Sequence, residues 1–439
     1  FDAILYFYLK TNNQKYLTPV EKLLSNISSK GVYDQLAGGI ARYAVDEKWV
    51  IPHFEKMLYD NIQYIGLLTK FYQKTKKEYF KKKLIQTIKF INKEFKNEEN
   101  LYGSAYDADS EGVEGKYYVW SYEELKKLLE NDLKLFEKKY EISSAGNFEG
   151  KNILVESKNE LNEGEQTKIT QIEEKLIQER SKRVRPFFDD KSQTDLNAFI
   201  LDTLIGSAIV LGDNNLKNEA MSTLEIINKK LSNKIYHCYD STEIDAFLED
   251  YVYYAMLLVT LYEVNGDEKS LEKAINIMKE IWEIFYNKDT QLLQKNKIKD
   301  NDLFVSPIDL NDSNIPNGNS VYLNLCNKIY TITNDKFWFD KVEILKKSFH
   351  QVLNSFFSQM FSFIKVLDLC ENSISFTFFG NQDSIKDIKI NLQKDYLGRA
   401  TFVYKNNNEE GSVVICKNQT CSEKLKSFDQ VKKFLENNI

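Results

Sequence analysis

Asp60, Asp195, Glu249 and Asp250 share a place in the chain's pattern, each at or near the start of a long apolar run. A carboxylate there ordinarily caps a helix, accepting from free N–H groups and favoured by the helix dipole. Several of them around one pocket are also the equipment for acid–base work on sugars. The dipole favours the ionised form, so these positions suit a base or nucleophile. Repulsion between adjacent Glu249 and Asp250 would raise one of that pair. Tyr251 continues the third run, Asn197 lies just inside the second, and Asn317 and Asn319 precede a fourth. Capping and catalysis both stay open.

The densest chemistry lies earlier, in GVYDQLAGGIARYAVDEKWVIPHFEKMLYDN, residues 31–61. Tyr33, Tyr43, Trp49, Phe54 and Tyr59 alternate with Arg42, Asp46, His53, Glu55, Lys56 and Asp60. Burying those rings draws the charges toward low dielectric, where each needs a partner. A helix drawn from Pro52, at about 100° per residue, puts His53, Lys56, Met57 and Asp60 on one side. Gly38 and Gly39 allow close backbone approach, and Arg42 offers a bidentate fork to a carboxylate bordering a pocket. A lone histidine at a helix start is ordinarily structural, and His237 and His350 stand in ordinary surroundings.

Other clusters are weaker. Asp107, Asp109, Glu111 and Gly112 imitate half a calcium loop, but Tyr118 stands where the bidentate glutamate is needed. No metal and no cofactor is expected. Arg185, Asp189, Asp190 and Lys191 alternate in sign around Phe187 and Phe188, the pattern of an ion-pair network on a loop. Cys416 and Cys421 have neither redox nor zinc spacing and read as ordinary thiols.

These residues are positioned by a repeating pair of helices. Apolar runs beginning near Pro52, Asp195, Glu249 and Asn317 are each followed by a lysine-rich amphipathic helix: 78–95, 216–231, 271–286 and 336–353. A buried helix followed by a surface helix is the period of a helical-hairpin toroid or solenoid, with the polar starts converging on one face. Helices are also expected over 1–9 and 19–30, with Pro19 in a first turn. Residues 102–120 read as a short β excursion, Ser121 as the cap of a helix through Leu129, and 151–166 as a polar, mobile segment. ISFTFF, TFVYK and SVVIC read as strands and Phe428 to Leu435 as a closing helix. The expected domains are a helical part over 1–355 and a small α/β segment over 356–439.

The formal net charge of −6 spread over 439 residues lacks the basic patch that nucleic acid requires. Five scattered cysteines suggest a reducing, cytoplasmic setting. No apolar run reads as a clean membrane span, so no membrane partner is expected.

Residues 31–61, with DADSEG, RPFFDDK, LEDY and PNGNS further on, resemble the spermatogenesis-associated, thioredoxin-like protein family. The resemblance runs nearly end to end. It implies an all-α (α/α)6 toroid of the six-hairpin glycosidase kind, and a thioredoxin-like partner domain to which nothing here corresponds, so that the chain reads as a fragment. It also implies a pocket at the starts of the inner helices, with Asp107, Asp109 and Trp120 in its wall. The catalytic candidates are Asp60, Asp107, Asp109, Glu249, Asp250 and His53, and the expected substrate contacts are Arg42, Tyr43, Trp120, Asp190, Lys191, Asn197, Tyr251, Asn317 and Asn319. Family members carry a Trp-Asn pair where this chain has Leu196 and Asn197, which puts those contacts in doubt. A similar cysteine pair occurs in the family, so a disulfide or metal clip is the alternative for Cys416 and Cys421. Sugar epimerases on this fold use paired histidines, and only His53 stands in a motif here. The expected function is a carbohydrate-active or sugar-binding toroid, with glycoside hydrolase-like and sugar isomerase or epimerase-like reactions both open. The alternative is a non-catalytic module that binds a partner or supports the thioredoxin-like domain.

Overall fold

The computed structural model describes residues 1–239, 241–297, 306–406, 410–417 and 420–438. The fold class is the all-α, helical-hairpin class of the (α/α)6 toroids, with small sheets added. The chain divides into two compact units, Ala3–Ser192 with Phe1, and Gln193–Ile439 with Asp2.

In the first unit the helix Leu58–Thr75 pairs with Glu78–Glu94. Ile62, Ile65, Leu68 and Phe71 of the former are wholly buried, while Leu67 is only half-buried. The latter buries one stripe, Phe80, Leu84, Ile88 and Ile91, beneath a lysine-rich face, as amphipathic spacing requires. The helix expected from Pro52 starts later, at Leu58. Pro52–His53 instead pairs with Tyr43–Ala44, and Lys56–Met57 with Ala105–Tyr106. His53, Lys56 and Asp60 therefore do not share a helix face. Asp46 holds this turn by accepting from the backbone N–H groups of Lys48 and Ile51. Pro19 lies inside the helix Gln14–Ser29 rather than in its first turn.

The β excursion is present. Lys56–Met57, Ala105–Tyr106 and Phe188–Asp189 form one sheet, and Asp109–Ser110 pairs with Val113–Glu114. Ser121 accepts from the N–H of Glu124 and caps Tyr122–Leu129 as expected. Residues 151–166 are not simply polar chain: Ile153, Leu154 and Val155 are buried, and a helix capped by Asn162 begins at Glu163.

The second unit repeats the inner–outer pair three times, as Thr194–Leu211 with Asn214–Lys230, Leu248–Asn265 with Glu268–Phe285, and Gly318–Thr333 with Lys336–Phe356. Each inner helix ends in a left-handed residue: Gly212, Gly266 or Asn334. Asp213, Asp267 or Asp335 follows at once and caps the outer helix, so a dipeptide makes the whole turn. The strands Ile374–Phe379, Thr401–Lys405 and Ser412–Lys417 form as read, and their sheet packs with Tyr262, Leu271 and Ile332. Thr420–Cys421 joins that sheet and sets Cys421 opposite Cys416, so the two form a disulfide rather than two thiols. The helix Thr194–Leu211 is long and apolar enough to cross a membrane, which the sequence pattern did not single out. Here Ile200, Leu201, Leu204 and Ile205 are buried inside the unit.

Leu258 is 2% exposed and Leu323 is 0% exposed, both on inner helices. Truncating either to Ala should cost about 2–5 kcal/mol, read by chemical denaturation, because the cavity left cannot close fully.

Candidate functional site

In the first unit the 31–61 stretch brings Arg42, Tyr43, His53 and Asp60 together. Arg42 Nη1 lies 2.8 Å from Glu55 Oε2, and His53 Nδ1 lies 2.8 Å from Glu114 Oε1. Tyr43 stacks on His53 at 5.1 Å between centroids. Arg42 makes one contact to Glu55 rather than a bidentate pair, and its side chain is 41% exposed. Asp60 has one buried carboxylate oxygen without a partner among the described residues. Burial pushes its carboxyl up to about 7; Arg42 opposes the rise and Glu55 adds to it.

The buried charge is elsewhere. Asp34 takes both outer nitrogens of Arg180 at 2.9 Å each and Lys56 Nζ at 3.0 Å. The side chains of Asp34, Lys56 and Arg180 are only 6%, 3% and 5% exposed. Burial alone would raise the Asp34 carboxyl, but the two cations hold it well below the usual range. Burial likewise pulls Lys56 down, against the attraction of Asp34. Sequence reasoning missed Asp34 and Arg180. The available signal was periodic: Ile169, Ile172, Leu176 and Arg180 form the buried stripe of one helix, and a charge on that stripe needs a partner. Asp34 and Arg180 line a cleft of about 370 Å³ walled by Tyr106, Tyr117 and Tyr118, and Lys56 lines a smaller cavity with them.

The other residues expected near a pocket in this unit are spent differently. Asp107 and Asp109 are exposed on the 109–114 hairpin and its approach. Trp120 is fully buried with the Arg183 guanidinium 4.0 Å above its ring, so it is core and not platform. Asp190 is exposed, and Lys191 pairs with Asp189 at 3.1 Å.

In the second unit the three inner helices do bring their polar starts together. The N–H of Asp195 donates to Asp250 Oδ1 at 3.1 Å, and Tyr253 donates to the carbonyl of Pro316 at 2.8 Å. A Cβ at Gly318 would come within 2.9 Å of the Leu248 side chain and 3.0 Å of Glu249 Oε1, so the start of the third inner helix lies close against Glu249. His237, given no role from sequence, lies 3.0 Å from Asp250 Oδ2 through Nδ1 and 3.1 Å from the Gln193 amide through Nε2. In the neutral ring Nδ1–H donates to Asp250 and Nε2 accepts from Gln193. Burial lowers the imidazole pKa and Asp250 more than restores it, leaving it raised. Asp195 has its carboxyl pushed up to about 7, by burial first and by Asp250 second. Burial also raises Glu249 and Asp250.

Asp195 is no cap. The helix Thr194–Leu211 has no side-chain bond at Gln193, and the Asp195 carboxylate accepts only from adjacent Leu196 among its recorded bonds. Asp250 does hold the turn before its helix, accepting from the N–H of Phe247 at 2.8 Å. Donor atoms of Asp195, His237 and Asp250 lie within 4.8 Å of one another, close enough for a cation. Yet each Asp250 oxygen already accepts a backbone N–H and faces His237 Nδ1. The arrangement is a hydrogen-bonded acid–base group. Asn317 caps its helix, Asn319 ties to Leu293 through both backbone groups, and Asn197 donates to the carbonyl of Gln193. Tyr251 is buried and reaches Glu280 at 3.4 Å. These four are held by structural bonds.

Among curated proteins, an uncharacterized protein of Caenorhabditis elegans is 23% identical over 94% of the chain. Human spermatogenesis-associated protein 20 is 22% identical over the same share. Along most of its length the chain is similar to the spermatogenesis-associated proteins. It spans 65% and 62% of the lengths of these two relatives, and 53% of the mouse protein of the same name. No protein-family model matches. Similar solved structures include a cellobiose 2-epimerase from Bacillus thermoamylovorans, 14% identical, covering 81% of this chain and 74% of that one, TM-score 0.48. A D-mannose isomerase is 12% identical, covering 75% and 85%, TM-score 0.38. Likenesses of this strength do not extend to side chains.

Two outcomes follow from this geometry. Asp34→Asn leaves two buried cations without their anion and should cost about 3–5 kcal/mol in urea denaturation. Asp195 keeps its proton in the folded state between its ordinary 3.8 and about 7. Stability should therefore fall as pH rises through that window, and Asp195→Asn should flatten the fall in melts taken across it. Parallel profiles for the two proteins would show that Asp195 titrates normally.

Proposed function

We propose that the chain acts on a sugar-like small molecule by proton transfer, in the manner of an isomerase or epimerase, at the inner-helix starts of the second unit. The observation that carries this reading is the Asp195 carboxyl, held near neutrality beside the His237–Asp250 pair. A group of that pKa gives and takes protons equally well at neutral pH. Asp250, fully buried, orients His237 and stabilises its charged form. Glycoside hydrolysis is less well served, because it needs two free carboxyls about 5–10 Å apart across a substrate. Asp250 is hydrogen-bonded to the Asp195 backbone itself and has no face to offer. Asp60, with its carboxyl also at about 7, and His53 are kept as further candidates in the first unit. Asp107 and Asp109, exposed on their hairpin, are dropped from the acid–base set.

The non-catalytic reading keeps one observation in its favour: Asn197, Tyr251, Asn317 and Asn319 are all consumed by structural bonds. In that reading the domain supports the thioredoxin-like partner that the family resemblance implies. A cytoplasmic setting is proposed on the free thiols Cys238, Cys326 and Cys370, with the Cys416–Cys421 disulfide counting against it.

The test is solvent exchange. Aldoses and disaccharides incubated with the protein in D2O should gain deuterium at the carbon next to the carbonyl, followed by NMR. Asp195→Asn and His237→Gln should each slow the exchange about 10²–10⁴-fold with the melt intact. Saturable sugar binding without exchange would favour the binding module. Neither exchange nor binding would end the sugar reading.

A further inference from the structure

The cleft in the first unit takes no part in that chemistry. Its volume of about 370 Å³ is ample for a small molecule. Counting the small cavity that adjoins its floor, five cations line it: Lys56, Lys89, Lys93, Arg180 and Arg185. Four carboxylates face them, in a chain whose net charge is −6. Three of the four are engaged. Asp34 is shared by Arg180 and Lys56, Glu94 takes Arg185 at 2.7 Å, and Glu173 accepts from the Tyr140 hydroxyl at 2.5 Å. Glu174 is at the exposed rim, as are Lys89 and Lys93. The buried floor therefore holds two cations against one anion, an excess that an incoming anion would relieve.

The wall adds direction. The Arg180 guanidinium lies 5.3 Å from the Tyr117 ring and 5.7 Å from the Tyr118 ring. Asp34 uses two of its five N–H groups, leaving part of the fork for a second acceptor. Burial raises the Tyr118 hydroxyl far above its ordinary value and keeps it a donor, and it makes no hydrogen bond among the described residues. A guanidinium and a phenol facing one cleft, beside flat aromatic walls and below the rim ammonium groups of Lys89 and Lys93, form a receptor for a planar acceptor on a compact body.

We propose that this cleft binds a small organic monocarboxylate, its carboxylate on Arg180 and the Tyr118 hydroxyl and its body against Tyr117. Titration calorimetry with glucuronate, glucose and inorganic phosphate tests it. Glucuronate should bind saturably, and glucose, which has the same body without the charge, about tenfold or more weakly. Phosphate should not displace it. Tyr118→Phe, which keeps the ring and the packing, should weaken glucuronate about tenfold with an unchanged melt. Arg180→Lys should weaken it further, or lower the melt if the Asp34 pair fails. Asp195→Asn should bind glucuronate like the parent. Equal binding of glucose, displacement by phosphate, no glucuronate binding at millimolar concentration, or an unaffected Tyr118→Phe would each overturn the proposal. Loss of binding in Asp195→Asn would move the ligand to the second unit and overturn it too.

Discussion

At its candidate site each unit holds a carboxylate almost wholly out of water, Asp34 in the first and Asp250 in the second, and how that carboxylate is satisfied decides what its surroundings can do. Asp34 is answered by two cations with the N–H groups of Leu36 and Ala37, Asp250 by backbone N–H groups and an imidazole. An ionised carboxylate taken from water without partners costs several kcal/mol, so neither arrangement can be loosely built. The cationic answer fixes the charge: Asp34 stays ionised and ties residue 34 to residues 56 and 180. The imidazole answer leaves the charge movable, since a proton between His237 and Asp250 changes the field felt by Asp195.

The helical frame was legible because it repeats. A buried run followed by an amphipathic run sets inner and outer helices by period alone, and the strands after Glu371 are continuous apolar or aromatic runs. The start at Leu58 was not legible. Pro52 and the polar spacing after it fit a helix, but cross-strand partners at Tyr43 and Tyr106 take that backbone first. Arg180 and His237 were missed for a related reason. Each is defined by a partner distant in sequence, and local pattern marks only that Arg180 sits on an apolar stripe. The stretch 151–166 misled because its polar ends outweigh the three buried residues between them.

Of the candidate carboxylates, the sequence pattern gave the positions of Asp60, Glu249 and Asp250 and the residue types around them. It gave the wrong protonation. The helix dipole argued for ionised groups, and its stabilisation at a helix start is about 0.3–1 kcal/mol, rising to about 2 when partly buried. One pKa step corresponds to about 1.4 kcal/mol, and Asp60 and Asp195 rise from 3.8 to about 7. Burial outweighs the dipole at both places: among the described residues one Asp60 oxygen is buried without a partner, and Asp195 accepts only from the N–H of Leu196.

That last fact separates cap from reactive group. A capping carboxylate accepts from the free N–H groups of its helix, as Asp213, Asp267 and Asp335 do on the outer helices. The helices Leu58–Thr75 and Thr194–Leu211 start with no side-chain cap at all, although Asp60 and Asp195 stand within their first turns. Asp60 is thus spared the bonds that would keep it charged and Asp195 has only that of Leu196, while burial raises both carboxyls. The same residue type near a helix start caps the outer helices and has a raised pKa at Asp60 and Asp195 of the inner ones, and the difference is made by burial and by the bonds that are missing.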